Sequence, residues 1–125
     1  MGWMSVLTLL AAATVLSCTA VDGDTLRCGS ERVRLIGIDA PELPGHCQKG
    51  RHCAPGDPRA SADSLRRLVD GRPVQLERFG TDRYGRTLAI ARVNGVNLAC
   101  AQLKIGRAIY RADWDVGGRV GRCRR

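Results

Sequence analysis

The sequence predicts a small domain of the α+β class, mainly β, in which five strands form a barrel and two helices pack against it. Short apolar runs alternate as half-buried strands do, and two segments carry helix caps followed by helically spaced apolar residues. The strands and helices also follow one another in an order that a small barrel can accommodate. With 125 residues, the chain is expected to form one domain.

The first 17 residues form an apolar segment without a charged side chain. This segment is too short for a comfortable membrane span and has the length of a signal-peptide core. We therefore expect a signal peptide at 1–17, an exported protein and a folded domain at 18–125. The basic residues usual at the start of a signal are missing, so a membrane anchor and a buried element remain alternatives. Lipidation of Cys18 is another alternative, although the residues before it match that motif poorly.

The first three strands are expected between residues 18 and 38. Residues 18–28 predict a β-hairpin, because a turn signal at 22–24 separates two short arms with β-branched residues. That turn places Cys18 opposite Cys28. Residues 32–38 predict the third strand, which ends shortly before a proline.

Two helices and two further strands are expected after a loop rich in Gly, Pro and His. The first helix is predicted to begin at Asp57, a good cap followed by proline, and to end at Gly71. Strands are predicted at 73–79 and 86–93, and a second helix at 97–105. This order suits a five-stranded OB-fold barrel with a helix between strands three and four.

Six cysteines lie beyond residue 17. An even count in a small exported chain indicates disulfide bonds, whereas the CxxC pairs typical of structural zinc sites are absent from the sequence. Local spacing favours three pairs: Cys18–Cys28, Cys47–Cys53 and Cys100–Cys123. His46 and His52 flank the second pair, so a metal site in that loop is the alternative.

The formal net charge is +8, and 18 of the 20 basic residues are arginine. Arginine binds phosphate through a two-pronged guanidinium, so this composition suits a polyanionic partner such as nucleic acid. A basic surface that is merely solvated is the alternative on charge alone.

Five residues have the chemistry that phosphodiester hydrolysis needs. Asp24 at a hairpin turn and Asp39 at a strand end would form a hard oxygen site suited to Ca²⁺ if the barrel brings them together. Glu42 could accept the proton of an attacking water. Arg34 and Arg86 could stabilise the charge that develops on the phosphate.

A simple strand would not bring all of these side chains together. Arg34 and Asp39 have opposite parity, so a flat strand places them on opposite faces. The strand must therefore bend or bulge before Asp39, and Gly37 would permit this.

Three segments together resemble the signature of the thermonuclease (staphylococcal nuclease-like) family. They are Val-Asp-Gly-Asp-Thr at 21–25, Arg-Leu-Ile-Gly-Ile-Asp-Ala-Pro-Glu at 34–42 and Thr-Asp-Arg-Tyr-Gly-Arg at 81–86. The resemblance covers roughly residues 21–106. It implies that Asp24, Asp39 and the Ala40 carbonyl bind calcium and that Arg34, Glu42 and Arg86 form the catalytic trio. It also implies that Tyr84 contacts a phosphate and that Asp22 is an acid beside the metal.

By this resemblance the protein is expected to be a secreted, Ca²⁺-dependent nuclease that cleaves DNA and RNA, preferring single strands, and leaves 5′-hydroxyl and 3′-phosphate ends. We expect a monomer with no stable protein partner, and membrane contact only through an uncleaved N-terminal segment. The family's C-terminal helix is expected to be short or absent. Tyr110 and Trp114 are candidates for base stacking. The alternatives are a non-catalytic OB module that binds nucleic acid or protein, and a disulfide-rich extracellular interaction protein.

Overall fold

The computed structural model describes residues 15–123 and confirms an α+β fold that is mainly β. The helices are α1 (Pro58–Val69) and α2 (Leu98–Lys104). The strands are β1 (Val15–Leu16), β2 (Cys18–Ala20), β3 (Thr25–Cys28), β4 (Glu31–Leu35), β5 (Ile38–Asp39), β6 (Val74–Thr81), β7 (Thr87–Val93), β8 (Val96–Asn97) and β9 (Ile109–Tyr110). Three short 3₁₀ turns follow: Ala112–Trp114, Val116–Gly118 and Gly121–Cys123.

The main sheet has the order β1-β6-β7-β4-β3-β2, and β8 pairs with β7. The β4–β7 pair is parallel and the other pairs of this sheet are antiparallel. Among the described residues this ladder is an open path and not the closed barrel that was expected. Its two ends, β1 and β2, are separated in the chain by Ser17 alone. One short segment therefore supplies both ends of the sheet.

Both helices begin at the predicted caps. The Asp57 side chain accepts hydrogen bonds from the backbone N–H groups of Arg59 and Ala60, and Pro58 occupies the first helical position. The Asn97 side chain caps α2 in the same way. The second helix ends at Lys104, one residue before the predicted end, with Ile105 as its C-cap.

The third strand is shorter than predicted because the chain turns at Gly37. Strand β4 ends at Leu35, and Gly37 has a φ of +77°, a conformation that favours glycine. A Cβ atom at Gly37 would lie 2.8 Å from the Val120 Cβ, so this position also requires a small residue. The predicted bend before Asp39 is confirmed.

The core lies between the curved sheet and the two helices. Leu26, Val33 and Leu35 of the sheet and Leu65 and Leu98 of the helices are almost completely buried. This burial supplies the main favourable term for folding. The core fixes the hairpin turn and the end of β4 relative to each other.

All three predicted disulfide bonds are present: Cys18–Cys28, Cys47–Cys53 and Cys100–Cys123. The first joins directly paired residues of β2 and β3. The third ties the C-terminal segment to α2, and that segment buries Val120 completely. This covalent link holds the C-terminal segment against α2. It is in this segment that the family's C-terminal helix was expected to be short or absent.

Residues 1–14 of the predicted signal segment lie outside the described residues, as do Arg124 and Arg125. The last part of that segment belongs to the sheet, because Val15 pairs with Gln75 and Leu16 with Val74. None of the helices between residues 15 and 123 is long and apolar enough to cross a membrane. The boundary between a signal at 1–17 and a domain at 18–125 stays a prediction.

The Glu31 carboxylate links three strands and gives a pH-dependent prediction. It accepts two hydrogen bonds from the Arg78 guanidinium, at 2.8 and 2.7 Å, and one from the Thr87 hydroxyl at 2.7 Å. The hydrogen bonds from Arg78, and then that from Thr87, lower the pKa of Glu31 from 4.5 to about 2. A lowered pKa in the folded state means that the stabilisation is complete above the unfolded value and is lost as the pH falls from about 4.5 towards 2.

We expect Glu31→Gln to lower the free energy of unfolding by about 1 kcal/mol at pH 7 and by clearly less at pH 3. The estimate is modest because the Glu31 side chain is 28 % exposed and solvent screens the pair. Urea unfolding at the two pH values measures the difference. Glu77→Gln, which removes an exposed pair with Arg92, is the control. An equal loss at both pH values would contradict the prediction.

Candidate active site

The turn between β2 and β3 positions the first two acidic residues. The Asp22 carboxylate accepts a hydrogen bond from the Asp24 backbone N–H at 3.1 Å, which closes the turn locally. The Asp24 side chain points inward and is 4 % exposed as a residue. It accepts hydrogen bonds from the Ala40 N–H at 2.8 Å and from the Thr25 hydroxyl at 3.0 Å. The hairpin turn is thereby fixed against the segment that follows β5.

The Gly37 turn brings Arg34 to Asp39, as the sequence required. Arg34 Nη1 donates to the carbonyl oxygens of Leu35 at 2.9 Å and Ile38 at 3.0 Å, so the guanidinium spans the turn. Its Nη2 lies 3.2 Å from Asp24 Oδ2 and 3.8 Å from Asp39 Oδ1. One buried arginine therefore lies against both carboxylates that were expected to meet.

A C-terminal tryptophan lies close to two guanidinium groups near these acids. The Trp114 ring centroid is 5.2 Å from the Arg34 Cζ and 4.0 Å from the Arg111 Cζ. Arg111 Nη1 also lies 3.7 Å from Asp39 Oδ2. Backbone hydrogen bonds join Gly37 to Trp114 and Arg111, each at 2.8 Å. The C-terminal segment therefore supports the turn that carries the site.

Glu42 follows the bend and lies at the edge of the same group. Its side chain is 17 % exposed, and Oε1 is 3.6 Å from Arg51 Nη1. Burial and then the charge of Asp24 raise the pKa of Glu42 above its ordinary value. A carboxylate with a raised pKa and partial access to solvent is suited to accept a proton from water.

The turn between β6 and β7 positions Arg86 and Tyr84. The Asp82 carboxylate accepts hydrogen bonds from the Arg86 backbone N–H at 2.9 Å and from its Nε at 2.8 Å. The Arg86 Cζ lies 5.4 Å from the centre of the Tyr84 ring, and Tyr84 itself is 49 % exposed. Asp82 thus holds Arg86 in place.

These elements enclose an open cleft of about 530 Å³. Most of the predicted site residues line it: Asp22, Asp24, Arg34, Glu42, Tyr84 and Arg86. Asp39 and Ala40 do not line the cleft; each is 2 % exposed and lies behind it. The structure therefore places the predicted trio in one cavity and joins Asp39 to it through Arg34.

The acids at and behind the base of the cleft are partly buried and lie close to one another. Burial and then the charge of Asp24 raise the pKa of Asp22 to about 7 and also raise the pKa of Asp39. The buried Asp39 Oδ1 accepts no hydrogen bond from the described residues. A cation would relieve both conditions, since a hard cation takes carboxylate oxygens as ligands.

The described residues do not contain a complete cage of protein side chains for such a cation. No group of three or more His, Cys, Asp or Glu side chains between residues 15 and 123 has the arrangement of a metal site. Two carboxylates with a backbone carbonyl are a smaller set, which suits a cation that keeps several waters. His46 and His52 form no metal group with the cysteines, because those cysteines are bonded to each other.

Most residues of this cleft lie in a segment that matches a known protein family. The family described as "Staphylococcal nuclease homologue" matches residues 32–118, which include Arg34, Asp39, Glu42 and Arg86. The chain belongs to the staphylococcal nuclease homologue family. The match also includes the C-terminal segment around Trp114, beyond the region that the sequence motifs covered.

Three curated proteins are similar to this chain over most of its length. An uncharacterized endonuclease of Haemophilus influenzae is 39 % identical over 92 residues, which are 70 % of this chain and 46 % of that protein. The succinoglycan biosynthesis protein ExoI of Rhizobium meliloti is 35 % identical over 97 residues, 74 % of this chain and 50 % of its own length. An uncharacterized endonuclease of Escherichia coli is 32 % identical over 93 residues, which are 70 % of this chain and 54 % of that protein. This chain thus spans about half the length of these relatives.

The sequence alone did not predict a role for two arginines of the site, Arg51 and Arg111. Neither lies in a recognised motif, and one belongs to the cysteine-bearing loop. Trp114, a candidate for base stacking, lines the cleft. Tyr110, the other candidate, donates a hydrogen bond from its hydroxyl to Asp115 at 2.7 Å. Its hydroxyl is therefore committed to the C-terminal segment.

Proposed function

We propose that this protein is a secreted, Ca²⁺-dependent nuclease that hydrolyses phosphodiester bonds in DNA and RNA. The observation that carries the proposal is the meeting of Arg34, Glu42 and Arg86 in one cleft beside Asp24. Family membership and the relatives named as endonucleases support it. The catalytic roles of the trio are part of the proposal.

The residues at and behind the base of the cleft fit a calcium ion. Asp24 and Asp39 supply carboxylates, Ala40 supplies a backbone carbonyl, and Asp22 contributes negative charge nearby. The unpartnered Asp39 Oδ1 and the raised pKa values of Asp22 and Asp39 favour added positive charge at this place. When bound, the cation would neutralise phosphate charge and help to orient the substrate.

The protein's own groups then perform the reaction. Glu42 Oε accepts a proton from the attacking water, and its raised pKa makes it a stronger base than an exposed glutamate. The water oxygen bonds to phosphorus as the bond from phosphorus to the 5′ oxygen breaks, and that oxygen takes a proton from solvent and leaves as the 5′-hydroxyl. The Arg34 and Arg86 guanidinium groups bind the phosphate oxygens as charge builds in the transition state. Asp82 keeps Arg86 oriented, and Tyr84 contacts a phosphate or its nucleotide.

The remaining features of the proposal follow from the fold and surface. We infer an OB-fold from family membership, with the ladder of described strands open. The three disulfide bonds favour an oxidising compartment and therefore an exported protein. Exposed Tyr84 and the guanidinium groups around it suit unpaired bases and phosphates, which favours single strands. We propose a monomer without a stable protein partner, with membrane contact only through an uncleaved N-terminal segment.

Digestion of single-stranded DNA and RNA by the oxidised protein tests the function. Cleavage that requires Ca²⁺, stops with a chelator and leaves 5′-hydroxyl and 3′-phosphate ends is expected. A folded protein that binds the strands without cleaving them would replace the proposal with the non-catalytic module. A folded protein that neither binds nor cleaves would favour the extracellular interaction protein.

Calcium binding is expected to stabilise the folded protein. At a Ca²⁺ concentration of 100 times the dissociation constant, the gain is about 2.7 kcal/mol, measured as a shift of the thermal midpoint. Asp24→Asn should remove most of this shift because it removes one of the two carboxylates. Asp63→Asn, on the exposed face of α1, is the control and should respond to Ca²⁺ as the native protein does. An unchanged shift in the Asp24 variant would place the ion elsewhere.

A further inference from the structure

The loop between Glu42 and α1 carries a feature that none of the motifs includes. Its side chains are mostly exposed, yet the Cys47–Cys53 disulfide closes it over a short span, with the two Cα atoms 6.2 Å apart. The His46 N–H donates to Leu43 O at 2.9 Å, and the Arg51 N–H to Gln48 O at 3.1 Å. The loop is therefore constrained although little of it is buried.

Two residues of this constrained loop line the cleft. Gln48 and Arg51 line the same cavity as Arg34, Glu42 and Arg86. The disulfide sulfur atoms lie 3.7 and 3.9 Å from the Arg51 carbonyl oxygen, so the bond is adjacent to the backbone of this residue. A covalent restraint placed beside one cleft arginine limits how far its side chain can move from the site.

Arg51 differs in how it is held from Arg34 and Arg86, two of the three other arginines that line the cleft. Arg34 is buried, with two carbonyl acceptors and two carboxylates around it. Arg86 is held by Asp82 at 2.8 Å. Arg51 makes a longer contact of 3.6 Å with Glu42, and its side chain is 42 % exposed. An ion pair that is long and exposed contributes little and exchanges easily for another anion.

We propose that Arg51 is a substrate-binding residue that exchanges Glu42 for a phosphate next to the scissile one when a polynucleotide enters the cleft. Guanidinium binds carboxylate and phosphate with the same paired geometry, so the exchange needs no new kind of contact. Arg34 and Arg86 already serve the scissile phosphate in the proposed function, on which this inference rests. The cleft of about 530 Å³ has room for more than one phosphodiester unit.

The exchange has a consequence for substrate preference. A polynucleotide would remove Arg51 from Glu42 and so release the base, whereas a substrate with a single phosphodiester offers no neighbouring phosphate. We therefore expect Arg51 to strengthen the binding of longer strands and to leave the binding of the smallest substrates unchanged.

Arg51→Gln tests the inference on two substrates: a 20-residue oligothymidylate and thymidine p-nitrophenyl phosphodiester, which has a single phosphate. We expect KM for the oligonucleotide to rise about tenfold, the size of one lost charge-assisted contact, and KM for the small substrate to stay unchanged. Arg92→Gln is the matched control, because Arg92 also lies in an exposed ion pair but outside the cleft. Arg51→Lys should recover part of the loss.

Binding in chelator provides a readout that does not depend on cleavage. When the logarithm of oligonucleotide affinity is plotted against the logarithm of salt concentration, the native protein should have a slope steeper by about one than Arg51→Gln. The variant has the shallower slope because it loses one phosphate contact. Arg51→Lys keeps the charge and should keep the slope. A merely structural role of Arg51 would not change the slope in this way.

The disulfide provides the second variant. The double variant Cys47→Ser/Cys53→Ser should raise KM for the oligonucleotide. Adding Arg51→Gln to this double variant should raise KM by a smaller factor than Arg51→Gln does in the native protein. Equal KM values and salt slopes for the Arg51 and Arg92 variants would overturn the inference. An equal loss on both substrates would also overturn it, because Arg51 would then act by positioning Glu42. A native protein that binds with the expected slope but cleaves neither substrate would contradict the proposed function instead.

Discussion

Replacing Glu42 with glutamine is expected to lower kcat for single-stranded DNA by about 10²–10⁴-fold, the usual contribution of a general base. The amide has nearly the same shape but cannot accept the proton of the attacking water. Glu42 is at the edge of the cleft and takes no part in the core, so the variant should remain folded. Steady-state rates in saturating Ca²⁺, with circular dichroism to check the fold, measure the effect.

Glu77→Gln is the matched control for this variant. Glu77 is also a partly exposed glutamate paired with an arginine, but it lies on β6 outside the cleft. Its replacement should leave kcat unchanged. A Glu42 variant that is as active as the Glu77 variant would mean that another group accepts the proton, even if the cleft itself is the active site.

Replacing Arg34 with methionine is expected to affect both stability and activity. Asp24 and Asp39 would remain buried without the guanidinium that lies 3.2 and 3.8 Å from them. Breaking a buried pair in this way costs about 3–5 kcal/mol of unfolding free energy. The loss of a phosphate-binding group should also lower kcat by about 10²–10³-fold.

Calcium distinguishes the two parts of the Arg34 effect. If the acids bind the cation, Ca²⁺ should restore part of the lost stability, because it supplies the missing positive charge, but it should not restore kcat. Urea unfolding with Ca²⁺ and with chelator measures the first, and steady-state rates measure the second. Arg78→Met, which breaks an exposed pair with Glu31, should cost about 1 kcal/mol in either condition. A loss for Arg34→Met no larger than this would show that the buried acids adapt without the arginine.

Local signals in the chain predicted many of the elements and the three disulfide bonds. Asp57 and Asn97 act as the predicted caps because capping depends only on a side chain and the next few N–H groups. The Cys18–Cys28 bond follows from the hairpin turn between them, since a hairpin fixes which residues face each other. The motifs around Arg34 and Arg86 likewise contain several of the residues that line the cleft.

The bend at Gly37 shows where local reasoning was sufficient only in part. The opposite parity of Arg34 and Asp39 required a bend, and glycine was the residue that could adopt it. The sequence did not show that Arg111 and Trp114 would hold the bend from 74 and 77 positions away. Those contacts depend on the path of the C-terminal segment, which Cys100–Cys123 and the buried Val120 fix.

The sequence by itself determined the order of the main strands and helices, the caps, the two short-range disulfide pairs and the types of residue at the candidate site, because each depends on residues close together in the chain. Only the tertiary structure decided that the ladder of described strands is open, that Asp39 lies behind the cleft, and that Arg51 reaches Glu42. These features depend on strand pairing, burial and side-chain contacts between separate segments. Such contacts form only when the whole core is packed, so no short stretch of sequence contains them.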